Sequence, residues 1–132
     1  MWDRRADFLS NHDGDTVTMV LDQGFYDTKQ INIRLANVWA PELKQAGGVE
    51  TRNFVTHWFE DRFIKGVWSF VVVTYRTKAG REIKTFDRYV ADVLSVDGTS
   101  HLNSDVMKFI ADMGYDGGVG SPEKQARVRT SR

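Results

Sequence analysis

The order of strand-like and helix-like segments is the feature that most limits how this chain can fold. Apolar residues recur with a period of two in some segments and of about 3.6 in others, and the segments run strand, strand, strand, helix, strand, strand, helix. Strands and helices do not alternate one for one, which argues against a doubly wound parallel sheet. Five short strands favour a closed barrel, since closure removes exposed strand edges. The pattern therefore predicts a mainly β, α+β fold: a five-stranded barrel with two packing helices.

Each predicted strand combines apolar alternation with turn residues at its ends. Val17, Met19 and Leu21 alternate in the second strand, and Asp13-Gly14 precedes it as a tight turn. The fourth segment is apolar at nearly every position, so we expect it to be buried on both faces. A further turn is predicted at residues 77–80. The predicted strands cover residues 6–10, 16–21, 30–38, 68–75 and 86–95.

Two helices are predicted, over residues 49–63 and 102–113. The first has an apolar stripe at helical spacing that extends to Phe63, and Gly114 is suited to cap the second. From Gly117 onward the chain carries several basic residues and almost no apolar ones. We therefore predict one domain over residues 1–116 and a basic, disordered tail over residues 117–132.

Composition excludes several classes of protein. There is no cysteine, so disulfides, thiol catalysis and cysteine-ligated zinc are ruled out. Apolar residues make up 41% of the chain, which excludes wholesale disorder. Lys+Arg and Asp+Glu both number 18, so the chain lacks the bulk positive charge of proteins that coat nucleic acid. Any contact with nucleic acid would therefore come from a local patch.

No segment of the sequence has the pattern of a signal peptide or a membrane span. Residues 1–5 are charged and lack an apolar run. The longest apolar stretch, residues 67–73, contains Ser69 and has the length of a strand. We expect a soluble, cytoplasmic protein, unless an upstream leader has been removed.

Asp13-Gly14-Asp15-Thr16 places two carboxylates on one turn. Carboxylate oxygens are hard ligands suited to calcium or magnesium. The alternative is an ordinary hairpin turn, and this tetrapeptide alone favours that alternative. The later ligands of an EF-hand loop are absent from the sequence.

Four other residues are candidates for phosphate chemistry. Arg34 lies on the polar face of an otherwise apolar strand, so it is either solvated or directed at a phosphate. Glu42 follows the same strand; a lone loop Glu is usually solvated. Phe86 and Arg88 share a strand face, where they would either stack a base and bind a phosphate or pack on each other.

Three motifs in a fixed order resemble the staphylococcal nuclease (thermonuclease) family. They are DGDT at residues 13–16, RLANVWAPE at residues 34–42 and FDR at residues 86–88. The family patterns read DGDT, RLxxVDxPE and, after the first helix, YGR. The resemblance covers roughly residues 6–115. It implies a five-stranded OB-fold barrel and a calcium-dependent phosphodiesterase that acts on DNA and RNA.

The resemblance implies a role for each matching residue. Arg34 and Arg88 match the two arginines that bind the phosphate, and Glu42 matches the proposed general base. Asp15 matches an aspartate ligand of the metal, and Ala40 matches a position that offers calcium its backbone carbonyl. These roles are physically consistent: a cation polarises the phosphoryl oxygen, a carboxylate takes the proton of water, and guanidiniums stabilise the charge of the transition state.

Three positions depart from the family pattern. Trp39 replaces the second aspartate ligand, which removes a charge and an oxygen from the metal shell; Asp13 or water would compensate in part. Phe86, in the position of a substrate-binding tyrosine, lacks the hydroxyl that could bond to a phosphate. Asp87 replaces a glycine beside Arg88, and strand alternation directs the two side chains apart.

The sequence leaves more than one class of function open. The leading hypothesis is a calcium-dependent nuclease, because Asp15, Arg34, Glu42 and Arg88 are all present. The alternative is a catalytically weak or inactive OB-fold module that binds single-stranded nucleic acid or a protein, which Trp39 favours. A purely structural interaction domain has only the neutral net charge in its favour. For the nuclease we expect DNA or RNA as the partner, no membrane, and a monomer.

Overall fold

The computed structural model describes residues 2–75, 84–85 and 88–117. The predicted turn at residues 77–80, Phe86 and all but the first residue of the predicted tail lie outside these ranges. The elements in chain order are β1 (Trp2–Asn11), β2 (Thr16–Gly24), β3 (Asp27–Leu35), α1 (Gly48–Arg62), β4 (Phe70–Thr74), β5 (Lys84–Thr85), β6 (Arg88–Ser95) and α2 (Leu102–Met113).

Five of the strands form a closed barrel. They are hydrogen-bonded in the order β3-β2-β1-β4-β6, and a parallel pairing between β3 and β6 closes the ring. The other barrel pairs are antiparallel, and the short β5 pairs with the start of β6. The predicted α+β fold, an OB-like five-stranded barrel with two helices, is confirmed.

The core lies inside the barrel and beneath α1. Alternate residues are buried in β2, β4, β6 and the second half of β3, as the period-two pattern predicts. Phe59 of α1 packs edge-on against Phe70 of β4, with ring centroids 4.9 Å apart, and stacks on Phe8 of β1 at 4.2 Å. Trp58 donates a hydrogen bond of 2.8 Å from its indole nitrogen to Asp105 of α2. The two helices are therefore joined to each other and to the barrel.

The structure corrects three details of the predicted elements. Phe63 is 57% exposed and extended, so the apolar stripe of α1 ends before it. β4 alternates between buried and partly buried residues and is not buried on both faces. β3 ends at Leu35, three residues earlier than predicted, because Asn37 has a left-handed φ of 59° that strand pairing does not allow. None of the helices in the described ranges is long and apolar enough to cross a membrane.

Candidate functional site

Asp15 and Arg34 come together at one end of the β2–β3 ladder. Thr16 pairs with Arg34 in the ladder, and the Leu35 amide donates a 2.8 Å hydrogen bond to the Asp15 carbonyl. The Arg34 guanidinium then lies 3.6 Å from the Asp15 carboxylate, measured from Nη2 to Oδ2. Only 20% of the Arg34 side chain and 14% of the Asp15 side chain are exposed. The antiparallel register thus brings together two residues that the sequence singled out separately.

The Asp15 carboxylate also binds the segment that follows β3. Its Oδ2 accepts a hydrogen bond of 3.0 Å from the Ala40 amide, and its Oδ1 accepts one of 3.3 Å from the Thr16 hydroxyl. The structure therefore brings Asp15, Arg34 and Ala40 close together, while the phosphate and metal roles that the resemblance implies for them stay predictions. The observed contact with Ala40 uses its amide nitrogen; the resemblance assigned a role to its carbonyl.

Asp13 contributes to the same turn. Its Oδ1 accepts a 3.1 Å hydrogen bond from the Asp15 amide, the pattern of an Asx turn. Burial raises the pKa of Asp15 to about 7, the Arg34 charge opposes this rise, and the hydrogen bond and charge of Asp13 add to it. The turn thus holds a second carboxylate beside one that is already difficult to ionise, an arrangement that a bound cation would stabilise.

Gly14 fixes the position of this turn against α1. A Cβ added to Gly14 would lie 2.5 Å from Thr51 Cγ2 and 2.7 Å from Ala40 Cβ, closer than atoms can pack. Only glycine fits here without a shift of the turn. The Thr51 hydroxyl in turn donates a 2.7 Å bond to the Gly47 carbonyl at the start of α1. The glycine of the motif is therefore needed for close packing between the turn and the helix.

Glu42 lies on the loop between β3 and α1, and its side chain is exposed. Its amide donates to Gln45 Oε1 at 3.0 Å, and its carbonyl accepts from the Gln45 amide at 2.8 Å. Within the described ranges its carboxylate forms no hydrogen bond or ion pair, and so none with Asp15 or Arg34. Its backbone is held two residues beyond Ala40.

The backbone pairing of β6 gives the position of Arg88 in the sheet. Arg88 is the first residue of β6 and pairs with Thr85, and Val90, two positions later, pairs with Arg34. Alternation thus puts positions 88 and 34 on the same face of neighbouring strands. Phe86 lies outside the described residues. Trp39 is half-buried, next to Ala40.

Asn103 supports the site, although it lies outside the three motifs. It is buried near the start of α2, where its Nδ2 donates to the carbonyls of Ala36 (3.0 Å) and Ala91 (3.1 Å). Its Oδ1 accepts from the Val93 amide at 3.0 Å. The amide thereby joins α2, β6 and the segment between Arg34 and Ala40. The sequence feature that could have identified Asn103 is its position as a polar residue on the apolar face of a helix.

The turn at residues 13–16 offers a divalent cation two carboxylates, which are only part of a coordination shell. In the described part of the chain, no three His, Cys, Asp or Glu side chains are grouped so that they could hold a metal ion. The two carboxylates of Asp13 and Asp15 lie in one turn. Cations held by one or two carboxylates complete their shell with water and substrate phosphate. The two carboxylates of the turn therefore fit a divalent cation of that kind.

In comparisons with known proteins, no family model and no curated protein matches this chain. The likeness to the staphylococcal nuclease family thus rests on the three motifs and on the OB-like barrel that carries two of them.

Proposed function

We propose that this protein is a metal-dependent nuclease that hydrolyses phosphodiester bonds of DNA or RNA. The observation that supports this most directly is the partly buried pair of Asp15 and Arg34, 3.6 Å apart. A guanidinium in a partly dehydrated site attracts phosphate more strongly than one in open water. The acidic turn beside it provides oxygen ligands of the kind that calcium and magnesium prefer.

Arg34 binds the scissile phosphate in this proposal. Its Nη1 donates to the Leu35 carbonyl at 2.6 Å and its Nη2 lies near Asp15, so the guanidinium is oriented before substrate arrives. Preoriented donors stabilise transition-state charge without a reorganisation cost. Arg88, at the start of the neighbouring strand, supplies the second guanidinium. Glu42 is the general base that takes a proton from the attacking water.

Asp15 and Asp13, together with the Ala40 carbonyl, would hold the cation. Calcium is the expected ion, and when bound it supplies Lewis-acid stabilisation of the phosphoryl oxygen. Asp15 is the principal ligand, and the Thr16 hydroxyl and the Ala40 amide orient its carboxylate. The Trp39 side chain contributes no oxygen, so we expect weaker calcium binding than a two-aspartate site would have.

The test is cleavage of end-labelled single-stranded DNA and RNA with calcium and with excess chelator. Cleavage that needs the metal supports the proposal. A preparation of Arg34→Ala, purified in parallel, controls for contaminating nucleases. Full activity in chelator would rule out the metal-dependent mechanism, and equal activity of the two preparations would assign the activity to a contaminant.

A second candidate is a non-catalytic OB-fold module, and one observation favours it. Both Asp15 carboxylate oxygens already accept hydrogen bonds within the protein, from Ala40 and from Thr16. Asp15 can therefore serve as a structural link between the turn and the segment after β3. Oligonucleotide binding that depends on Arg34, with no cleavage under any metal, is the result that selects this candidate.

A further inference from the structure

Two aromatic side chains form the tip of the hairpin between β2 and β3. Phe25 and Tyr26 are its two loop residues, and both are fully exposed. Their φ angles are 52° and 61°, so both lie in the left-handed region. Two-residue hairpin loops with two positive φ angles normally contain Asn-Gly or another pair that tolerates this region. Bulky side chains there are strained.

Stability alone does not explain this pair of residues. The strain is not offset by burial, because neither ring packs against the barrel. Asn-Gly would form the same loop with less strain and less exposed apolar surface. Strained residues that contribute nothing to packing are characteristic of functional positions. Phe25 and Tyr26 are therefore candidates for contact with a ligand.

One end of the barrel lies next to this tip. Its cleft has a volume of about 160 Å³, with a floor of buried apolar side chains from Leu21, Ile31 and Val72. All are inward-facing residues of the barrel strands. The mouths of β-barrels are a common place for ligand sites. Here the floor is apolar, and the residues around it decide which ligand fits.

Cations and a further aromatic ring surround this floor. The Nζ atom of Lys29, on β3, lies 5.9 Å from the ring centroid of Tyr89. Tyr89 is on β6, and both residues line the cleft. Arg4, on β1, also lines the cleft. None of the described residues that line the cleft carries a carboxylate. The acidic residues beside the hairpin, Asp22 and Asp27, lie outside the lining, and Asp22 accepts the Gly24 amide at 2.8 Å.

We propose that the hairpin tip and the barrel mouth bind single-stranded nucleic acid, at a surface separate from the Asp15–Arg34 pair. We call this surface the mouth surface: Phe25, Tyr26, Arg4, Lys29 and Tyr89. Exposed rings that stack bases, next to cations that attract phosphates, are the usual composition of sites for single strands. A duplex keeps its bases stacked inside and offers the rings nothing to stack on.

The mouth surface would hold a part of the strand that is remote from the cleavage site, and this extends the function proposed above. Lys29 and Arg34 lie on the same strand, five residues or roughly 17 Å apart. One OB fold covers about 4–16 nucleotides of a single strand. A strand of that length can contact both ends of β3 at once. The substrate class is therefore an unpaired strand of several nucleotides.

The test measures binding of a fluorescent oligothymidylate of about 16 nucleotides in chelator, where cleavage does not interfere. The double variant Phe25→Asn, Tyr26→Gly should melt at a higher temperature than the parent and bind at least about fivefold more weakly, since loss of one stacked base costs that much or more. Opposite changes in stability and affinity distinguish a ligand contact from a structural role.

Lys29→Ala tests the electrostatic part. It should reduce the slope of log affinity against log salt by about one, as expected for the loss of one phosphate contact. Lys108→Ala, which removes an exposed lysine from α2, should leave that slope as it is. A duplex of the same length should bind more weakly than the single strand.

The outcomes separate this inference from the nuclease proposal. An inactive parent that binds oligothymidylate through Lys29 and the two rings supports the mouth surface and ends the nuclease proposal. An active parent whose affinity is the same in all these variants overturns the mouth surface and leaves the nuclease proposal standing. Loss of binding to phosphatidylserine vesicles in the double variant, with oligonucleotide binding retained, would also overturn it and assign the rings to a membrane.

Discussion

The carboxylate of Asp15 and the guanidinium of Arg34 lie 3.6 Å apart, yet the attraction between them does not outweigh the cost of burying Asp15. The pKa of Asp15 is raised to about 7, chiefly by burial, with Arg34 opposing the rise and Asp13 adding to it. In the absence of a cation, the ionised form of Asp15 therefore destabilises the folded state. This relationship makes the stability of the protein depend on pH.

The first prediction concerns that dependence. The folded pKa of about 7 lies above the ordinary value of 3.8, so the folded state retains a proton that the unfolded state releases. The contribution of Asp15 to stability should therefore be fully present below about pH 4, be lost as pH rises through 7, and stay absent above it. Asp15→Asn removes this loss, so its melting temperature should rise relative to the parent between pH 5 and pH 8, measured in chelator. A constant difference at the two pH values would contradict the assigned pKa.

The second prediction separates the catalytic roles. Glu42→Gln keeps the side-chain shape but removes the base, so single-turnover cleavage should slow by about a hundredfold to ten-thousandfold while binding changes little. Arg34→Ala and Arg88→Ala should also slow cleavage, and Lys at either position should restore little, since it cannot form two parallel bonds to a phosphate. Glu60→Gln, on the exposed side of α1, is the matched control. If all three variants fold and cleave at the parent rate, the active site lies elsewhere.

The third prediction concerns Trp39, which is half-buried beside Ala40. Trp39→Asp adds a carboxylate where the family pattern has a metal ligand, and each added anionic oxygen strengthens calcium binding. The calcium concentration for half-maximal cleavage should fall. An unchanged calcium titration in a folded variant would show that another group, with Asp13 as the first candidate, already serves as that ligand.

The fourth prediction concerns Asn103, whose buried amide bonds to the backbone of Ala36, Ala91 and Val93. Asn103→Leu leaves the Ala36 carbonyl and the Val93 amide without this partner, while the Ala91 carbonyl still accepts the Ala36 amide at 2.8 Å. It should lower the free energy of unfolding by more than about 2 kcal/mol. Asn53→Leu, at an exposed position of α1, should change it by less than about 0.5 kcal/mol. Urea denaturation measures both. Equal effects would mean that the amide bonds contribute no net stability.

The sequence by itself determined the elements, because periodicity is a local property. Alternating residues such as Val17 and Met19 predicted β2, and helical spacing predicted α1 and α2 within one or two residues of their bounds. The ends of β3 were less predictable: Phe25 and Tyr26 carry no turn signal, and the left-handed Asn37 ends the strand early. Phe63 is apolar at the right spacing, yet it lies just beyond the helix end and is exposed.

Only the tertiary structure decided how the candidate residues meet. The motifs named Asp15, Arg34 and Ala40, but the ladder register and the packing of Gly14 against Thr51 set the distances between them. Closure by the parallel β3–β6 pair, which puts Arg34 and position 88 on neighbouring strands, joins segments far apart in the chain. The raised pKa of Asp15 likewise arises from burial, and burial depends on every segment that packs around the turn. Local patterns predict elements because their physical causes are local, whereas contacts, burial and charge depend on residues that only folding brings together.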